Sequence, residues 1–333
     1  MSSTVIERID GLLKKANFET FSLGNFGSKK SKFCFDLLVK RDDLVFSVKV
    51  FPNIDNLNQD LVRDIKSLST ILKSKPLLIG IKNRYQNLED NTIYVRNGLP
   101  FITLTTLEKI LANNIYPYIL AKRGGGVVFL DGVLMKEIRE QRLITRKELS
   151  EKLGITKRTV CSYENESMRP SEEIARKILN ILEDSEIFKK INIFKWNVKH
   201  EMGDNDYLQE KELSEFESHV QTIVNDIGLS SYWYKKGSVP FKLSLFSSID
   251  KVGSDGFYPL FSALSDEQKK VNEVNFNCLK MFNDLFHKTA LYIVDNSVRI
   301  PGTIKGKDIH IIKIKNLEQV DDEEEFIELI QDS

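Results

Sequence analysis

The sequence predicts a multidomain α/β (α+β) protein, with an all-α module at its centre and two similar small α/β domains flanking it. Three observations carry this. A length of 333 residues exceeds what a single hydrophobic core usually serves, and 41% apolar content supplies material for two or three cores. Between Gly132 and Leu182 apolar residues recur at the spacing of one helix face. On both sides of that stretch, helical patterns alternate with short apolar runs of strand character. The expected domains are 1–122, 123–190 and 191–333. A triple glycine, Gly124 to Gly126, marks the first boundary and the polar stretch His200 to Lys211 the second.

In the central module, Leu134 and Ile138 set the apolar face of a first helix, and Leu149 and Leu153 that of a second. Thr145 and Glu148 form a T-x-x-E capping box, so the second helix begins near Arg146. Gly154 ends it, because the left-handed turn after a helix is cheapest for glycine. Ile155 returns to the core and Thr156 caps a third helix over Lys157 to Glu164. Val160 and Tyr163 of that helix face inward, and Lys157, Arg158, Cys161 and Ser162 face out. Arg169 and Pro170 break the pattern, and Ser171 caps a fourth helix carrying Ile174, Ile178 and Leu182.

The first flank reads as a helix over Val5 to Ala16, strands over Phe33 to Val39 and Leu44 to Phe51, and a helix near Leu57 to Leu72. Strands at Leu77 to Ile81, Thr92 to Val95 and Pro100 to Leu104 follow, ahead of Leu107 and Glu108. The second flank repeats that order. It has a helix over Leu213 to Ile227, strands over Phe241 to Ser247 and Phe257 to Phe261, and a helix near Glu267 to Phe286. Strands at Leu291 to Val294 and Ile309 to Ile314 come ahead of Leu317 and Glu318. The local matches are FITLTTLEKI at Phe101 to Ile110 with IIKIKNLEQV at Ile311 to Val320, and PLLIGI at Pro76 to Ile81 with ALYIVD at Ala290 to Asp295. A duplicated α/β domain is the expectation. Trp233, between Tyr232 and Tyr234, reads as a half-buried strand cluster, or alternatively as part of a dimer interface.

The run from Leu143 to Glu164, L-x-x-x-x-x-L-x-x-x-x-G-I-T-x-x-x-V-x-x-Y-E, resembles the helix-turn-helix of the Cro and lambda-repressor class. Ser150 stands where that class usually has alanine, and it is small enough to keep the packing. The resemblance implies double-stranded DNA as ligand, with Arg146, Lys157, Arg158 and Ser162 approaching base edges in the major groove. It places Thr145, Thr156, Thr159 and Arg169 on the backbone, where contacts set register. It also implies a homodimer, since one short helix reads few base pairs.

The charge balance agrees with a local footprint. Forty-eight basic and 48 acidic residues cancel, which argues against a protein that coats nucleic acid over its whole surface. No run of 18 or more apolar residues and no cleavable leader is apparent, so a cytoplasmic location with no membrane partner is expected. Cys34, Cys161 and Cys278 lack C-x-x-C partners. His200, His219, His287 and His310 stand alone, so no metal and no cofactor is expected. Phosphate-loop, dinucleotide and nucleophile-elbow motifs are absent from the sequence. The acidic run Asp321 to Glu325 reads as a solvated start to the last helix.

The order helix, strand, strand, helix, strand in the first flank is similar to the restriction-endonuclease and junction-resolvase core. There a helical Glu, a strand Asp and an E-x-K hold a divalent metal. Glu7, Asp36 and Lys49 fit three positions, but Ser47 occupies the fourth, and a neutral hydroxyl is a weak ligand for Mg²⁺. Asp42 and Asp43 sit in the turn and do not obviously replace it. In the second flank Ser244 aligns with Asp36 and no acid-x-Lys pair follows. Both flanks are therefore expected to be degenerate, non-catalytic scaffolds, with no catalytic residues assigned.

The whole arrangement also resembles an archaeal family of helix-turn-helix transcriptional regulators. The residues that carry this are Arg123 to Gly125, Asp131, Gly132, Leu134, Arg139, and Leu149 through Tyr163 with Glu164. Membership implies a sequence-specific regulator. The alternatives are a metal-dependent DNA nuclease or junction-processing enzyme guided by the module, and a non-catalytic interaction scaffold. The flanks leave room for a small effector, though no pocket signature is readable.

Overall fold

In the computed structural model, which describes residues 2–22, 33–42, 44–122, 125–198, 213–234, 239, 241–247, 258, 260–265, 276, 279–280, 283–284, 289–298 and 309–331, helix α1 (Ser2–Lys15) opens the chain. Ile9 and Leu13 are its fully buried face, and Lys14 and Lys15 occupy the last turn, where cations suit the helix dipole. Strands β1 (Glu19–Ser22), β2 (Leu37–Arg41) and β3 (Leu44–Asn53) precede helix α2 (Gln59–Ile71). Strands β4 (Lys75–Lys82), β5 (Thr92–Arg96) and β6 (Leu99–Ile102), helix α3 (Leu104–Asn113), and strands β7 (Ile119–Lys122) and β8 (Gly125–Val128) follow. The central helices are α4 (Gly132–Gln141), α5 (Arg146–Leu153), α6 (Lys157–Glu164) and α7 (Glu172–Leu182). Beyond them lie α8 (Glu215–Asp226), β9 (Leu229–Trp233), β10 (Leu243–Ser247), β11 (Leu260–Ser265), β12 (Ala290–Val294), β13 (His310–Lys313), α9 (Ile314–Leu317) and α10 (Glu323–Gln331).

The strands form two mixed sheets, of order β1-β2-β3-β4-β6-β5-β7-β8 and β9-β10-β11-β12-β13. In the first, β1–β2 and β2–β3 are antiparallel and β4–β6 parallel; in the second, β9–β10 and β10–β11 are antiparallel, and β11–β12 and β12–β13 parallel. Among the described residues, the first sheet has eight strands and a crossover at β4-β6-β5-β7, and the second has five strands in sequential order.

By compactness the chain divides into two units that interleave in sequence. One holds Met1–Asn17, Lys49–Leu57 and Lys75–Val198, and the other Phe18–Val48, Asn58–Ser74 and Lys199–Ser333. In the first unit, β4 is buried from Pro76 through Gly80, as expected of a strand covered on both faces. The β5–β6 hairpin turns on Asn97 and Gly98, both at positive φ (52° and 79°), the residue pair that a tight type I′ turn favours. Thr103 ends β6 and caps α3, its hydroxyl accepting from the Thr106 N–H, so the strand stops short of the Leu104 that apolar patterning had included.

In the second unit, α8 begins with a full capping box between Ser214 and Glu217 and buries Val220, Ile223 and Val224 against the five-stranded sheet. Tyr232, Trp233 and Tyr234 are fully buried here, which corrects the half-buried reading and leaves the cluster no surface for a dimer interface. Three aromatic side chains in succession are buried because β9 carries Tyr232 against the Asp64 carboxylate of α2 (3.5 Å), Trp233 against Gln221 of α8, and Tyr234 against Ser244 of β10 (3.2 Å). Burial holds the Tyr234 hydroxyl well above its usual pKa. The acidic run does start the last helix, with Asp322 accepting from the Glu325 N–H (3.0 Å). Arg123, Gly124, His200 to Lys211, Asp43, Cys278, His287 and most of the helix expected near Glu267 to Phe286 lie outside the described residues.

Candidate nucleic-acid interface

The four central helices have the boundaries that capping chemistry dictates. Thr145 and Glu148 exchange both capping-box hydrogen bonds (2.7 and 3.1 Å), Gly154 ends α5 at φ 69°, and Thr156 and Ser171 cap α6 and α7. Met135, Ile138, Leu149, Leu153, Val160, Tyr163, Ile178 and Leu182 close one core beneath them, joined by Val128 and Phe188. Leu134 is half-buried, and Met135 beside it takes the innermost place. Gly132 marks where α4 meets the end of α6, since a Cβ there would collide with the Glu164 carbonyl oxygen.

Beneath the surface lies an ion cluster that residue spacing does not reveal. The Glu164 carboxylate is buried. It accepts from Arg139 Nε through Oε1 and from Arg146 Nε through Oε2, both at 2.6 Å. Arg139 also donates to the Ile144 carbonyl (2.8 Å) and to Glu140 (3.1 Å), so each of its three nitrogens is engaged. A buried carboxylate between two arginines ties α4, α5 and α6 together at the cost of desolvation.

The expected base-reading residues fall into two groups. Lys157 and Arg158 are exposed in the first turn of α6 and form no ion pair with any described residue, and Ser162 lies half-buried one turn on. Arg146 instead has its guanidinium on Glu164, which raises its pKa and leaves it half-buried. Asn165, not singled out from sequence, is exposed at the end of α6, one turn beyond Cys161, and its amide donates to Cys161 Sγ at 3.5 Å.

The expected backbone residues are oriented by the fold. Thr145 and Thr156 spend their hydroxyls on caps, and Thr156 also pairs with the Thr159 hydroxyl at 2.8 Å. Arg169 is exposed and holds its guanidinium carbon over the Phe129 ring, 3.9 Å from the centroid. Among the described residues, the exposed face of α6 is thus basic and polar over a rigid core.

The flanking candidates have different surroundings. Glu7 is exposed on α1. Asp36 donates its backbone N–H to the Val48 carbonyl (2.7 Å), and Lys49 Nζ lies 6.0 Å from the Phe51 ring centroid. Ser47, in the position where a nuclease needs its second acid, is buried in β3. With a hydroxyl replacing that carboxylate, the donor set does not fit a divalent metal. Among the described residues, no group of three or more His, Cys, Asp or Glu side chains is placed to hold one.

Residues 2–117 match the model of the PD-(D/E)XK superfamily domain and residues 135–185 that of the helix-turn-helix family. A protein of Archaeoglobus fulgidus named "Putative HTH-type transcriptional regulatory protein" is 27% identical over 332 residues, covering 100% of this chain and 98% of its own. A Pyrococcus horikoshii protein of the same description is 27% identical over 330 residues (98% and 97%). One from Methanobrevibacter smithii is 34% identical over 180 residues (54% and 56%). The chain resembles these archaeal HTH-type regulatory proteins from end to end. It has an N-terminal PD-(D/E)XK α/β domain, a central helix-turn-helix of the Cro class, and a second mixed sheet in its C-terminal part. No solved structure matches the chain. Among the described residues, no helix is long and apolar enough to cross a membrane.

Proposed function

We propose that this protein is a sequence-specific DNA-binding transcriptional regulator that acts as a homodimer in the cytoplasm, where its DNA lies. The observation that carries the reading is the exposed first turn of α6, where Lys157 and Arg158 stand unpaired among the described residues over a closed core. Each can present donors to guanine O6 and N7, and Ser162 can serve a base edge or a phosphate. Arg146 belongs to the reading as a residue whose base contact competes with Glu164. Thr145, Thr156, Thr159 and Arg169 would hold phosphates and set register.

The flanking PD-(D/E)XK domain is, on this reading, a non-catalytic scaffold, because Ser47 supplies no charge where a cutting site needs it. The C-terminal sheet, which like the first begins with three antiparallel strands in sequential order, is proposed to be a duplicate of the same core. Selection from a random duplex pool at two salt concentrations, with Mg²⁺ present, tests the proposal. An enriched inverted repeat recovered intact is the expected result. The superfamily match favours a metal-dependent nuclease as the second reading, and cut products with ends at fixed positions would establish it instead.

A further inference from the structure

Within the first unit, the helix-turn-helix is built onto the edge of the first sheet. β7 pairs with β5 of that sheet and β8 pairs with β7, and Ile119, Val128 and Leu130 lie in the same core as Leu149, Val160 and Ile178. The chain leaving β8 is then bonded to the module on two sides. Val127 bridges Ser171 at the head of α7, and the Val128 N–H donates to the Pro170 carbonyl (3.0 Å). The Lys189 N–H donates to the Phe129 carbonyl and the Asp131 N–H to the Ile187 carbonyl, both at 2.8 Å, while Leu130 bridges Phe188. Backbone hydrogen bonds thus fix Phe129 and its neighbours on one strand, and the residue after Arg169 on the other.

Phe129 is half-buried between the buried Val128 and Leu130. The Arg169 guanidinium carbon lies 3.9 Å from its ring centroid, well within the range of a cation–π contact. Arg169 is exposed and forms no ion pair with any described residue. An arginine held this way keeps its charge and its donors for a phosphate, and it loses less rotamer freedom when it binds one. The ring comes from the edge of the N-terminal sheet and the cation from the loop after α6, so the pair joins the first domain to the proposed DNA-contacting loop.

We propose that Phe129 is a positioning residue for DNA binding. Its ring holds the Arg169 guanidinium in place for a backbone phosphate, and through it the N-terminal sheet sets the register of the helix-turn-helix on the duplex. The inference rests on the DNA-binding reading above.

Fluorescence anisotropy of the full chain on a random-sequence duplex tests this, because a phosphate contact needs no operator. Each comparison is made below the melting temperature of the variant, so that only folded chain is read. Phe129→Leu and Phe129→Met should each weaken binding about two- to fivefold, as loss of an exposed cation–π contact does. Phe129→Tyr, which restores a ring face, should bind as the unaltered chain does. In an Arg169→Ala background, Phe129→Leu should change nothing, because no cation is left to hold. A packing role alone would lower affinity in both backgrounds, and that result overturns the proposal. So does full affinity in Phe129→Leu and Phe129→Met, or a Phe129→Tyr variant as weak as they are. Those outcomes leave the regulator reading standing, whereas an unaltered chain that binds no duplex overturns both.

Discussion

Arg146 and Arg158 show how two residues of the same type, both placed on the DNA side by motif, divide into different tasks. Arg158 is exposed and forms no ion pair with any described residue; Arg146 is spent on a buried carboxylate. Arg158→Ala is therefore expected to weaken specific binding by about 1–3 kcal/mol and to blur one operator position. Arg169→Ala should weaken specific and random duplexes alike, as loss of a phosphate contact does. Fluorescence anisotropy with both duplexes separates the two, and equal losses on both duplexes for Arg158→Ala would sink the base-reading role. Glu164→Gln is expected to destabilise the fold by roughly 3–5 kcal/mol, because it removes the buried charge that Arg139 and Arg146 share and leaves Arg139 only the exposed Glu140 carboxylate. Urea denaturation measures this, and a loss below about 1 kcal/mol would show the pair to be ornamental.

At the scale of elements, helix starts were legible because capping is local chemistry. Thr145, Thr156, Ser171 and Ser214 each lie within three residues of the N–H they accept from, so the start of a helix is written beside it. Thr156→Ala should cost about 1 kcal/mol of stability, read as a lower urea midpoint with an unchanged slope. The short strands β1, β7 and β8 were not legible. Each is four residues long, too short for alternation to show; β1 pairs with β2 and β7 with β5 across intervening chain, and β8 pairs with its sequence neighbour β7. Acid dependence also belongs to the elements. The Thr145 N–H holds the Glu148 carboxyl below its usual range, and Lys189 and the Gly132 N–H do the same for Glu166. Their folded pKa values lie below the usual glutamate value of 4.5, so the stability they contribute is present above that pH and lost as pH falls through the folded values. Circular dichroism melts from about pH 6 down to about pH 3 should show the melting temperature falling only over the lower part of that range. A fall confined to the range above pH 5 would contradict the assignment.

At the scale of the whole molecule, the proposed regulator must present two modules about 34 Å apart to meet successive major grooves on one face of the duplex. Light scattering of the DNA complex should then give twice the chain mass of 38.4 kDa plus the mass of the duplex, and the affinity should fall steeply as salt rises. One chain per operator would remove the paired reading. What the amino-acid sequence determined by itself was set within a few residues: the four central helices with their caps, most of their inward faces, and the exposed basic turn of α6. The serine in place of a nuclease acid was equally visible, since it is a matter of residue identity. Only the tertiary structure decided that Arg146 pairs with Glu164, that Tyr232, Trp233 and Tyr234 are sealed inside, and that compactness groups β1, β2 and α2 with the C-terminal sheet. The physical reason is range. Capping and periodicity act between neighbours along the chain, whereas burial and ion pairing act between residues that only folding brings together.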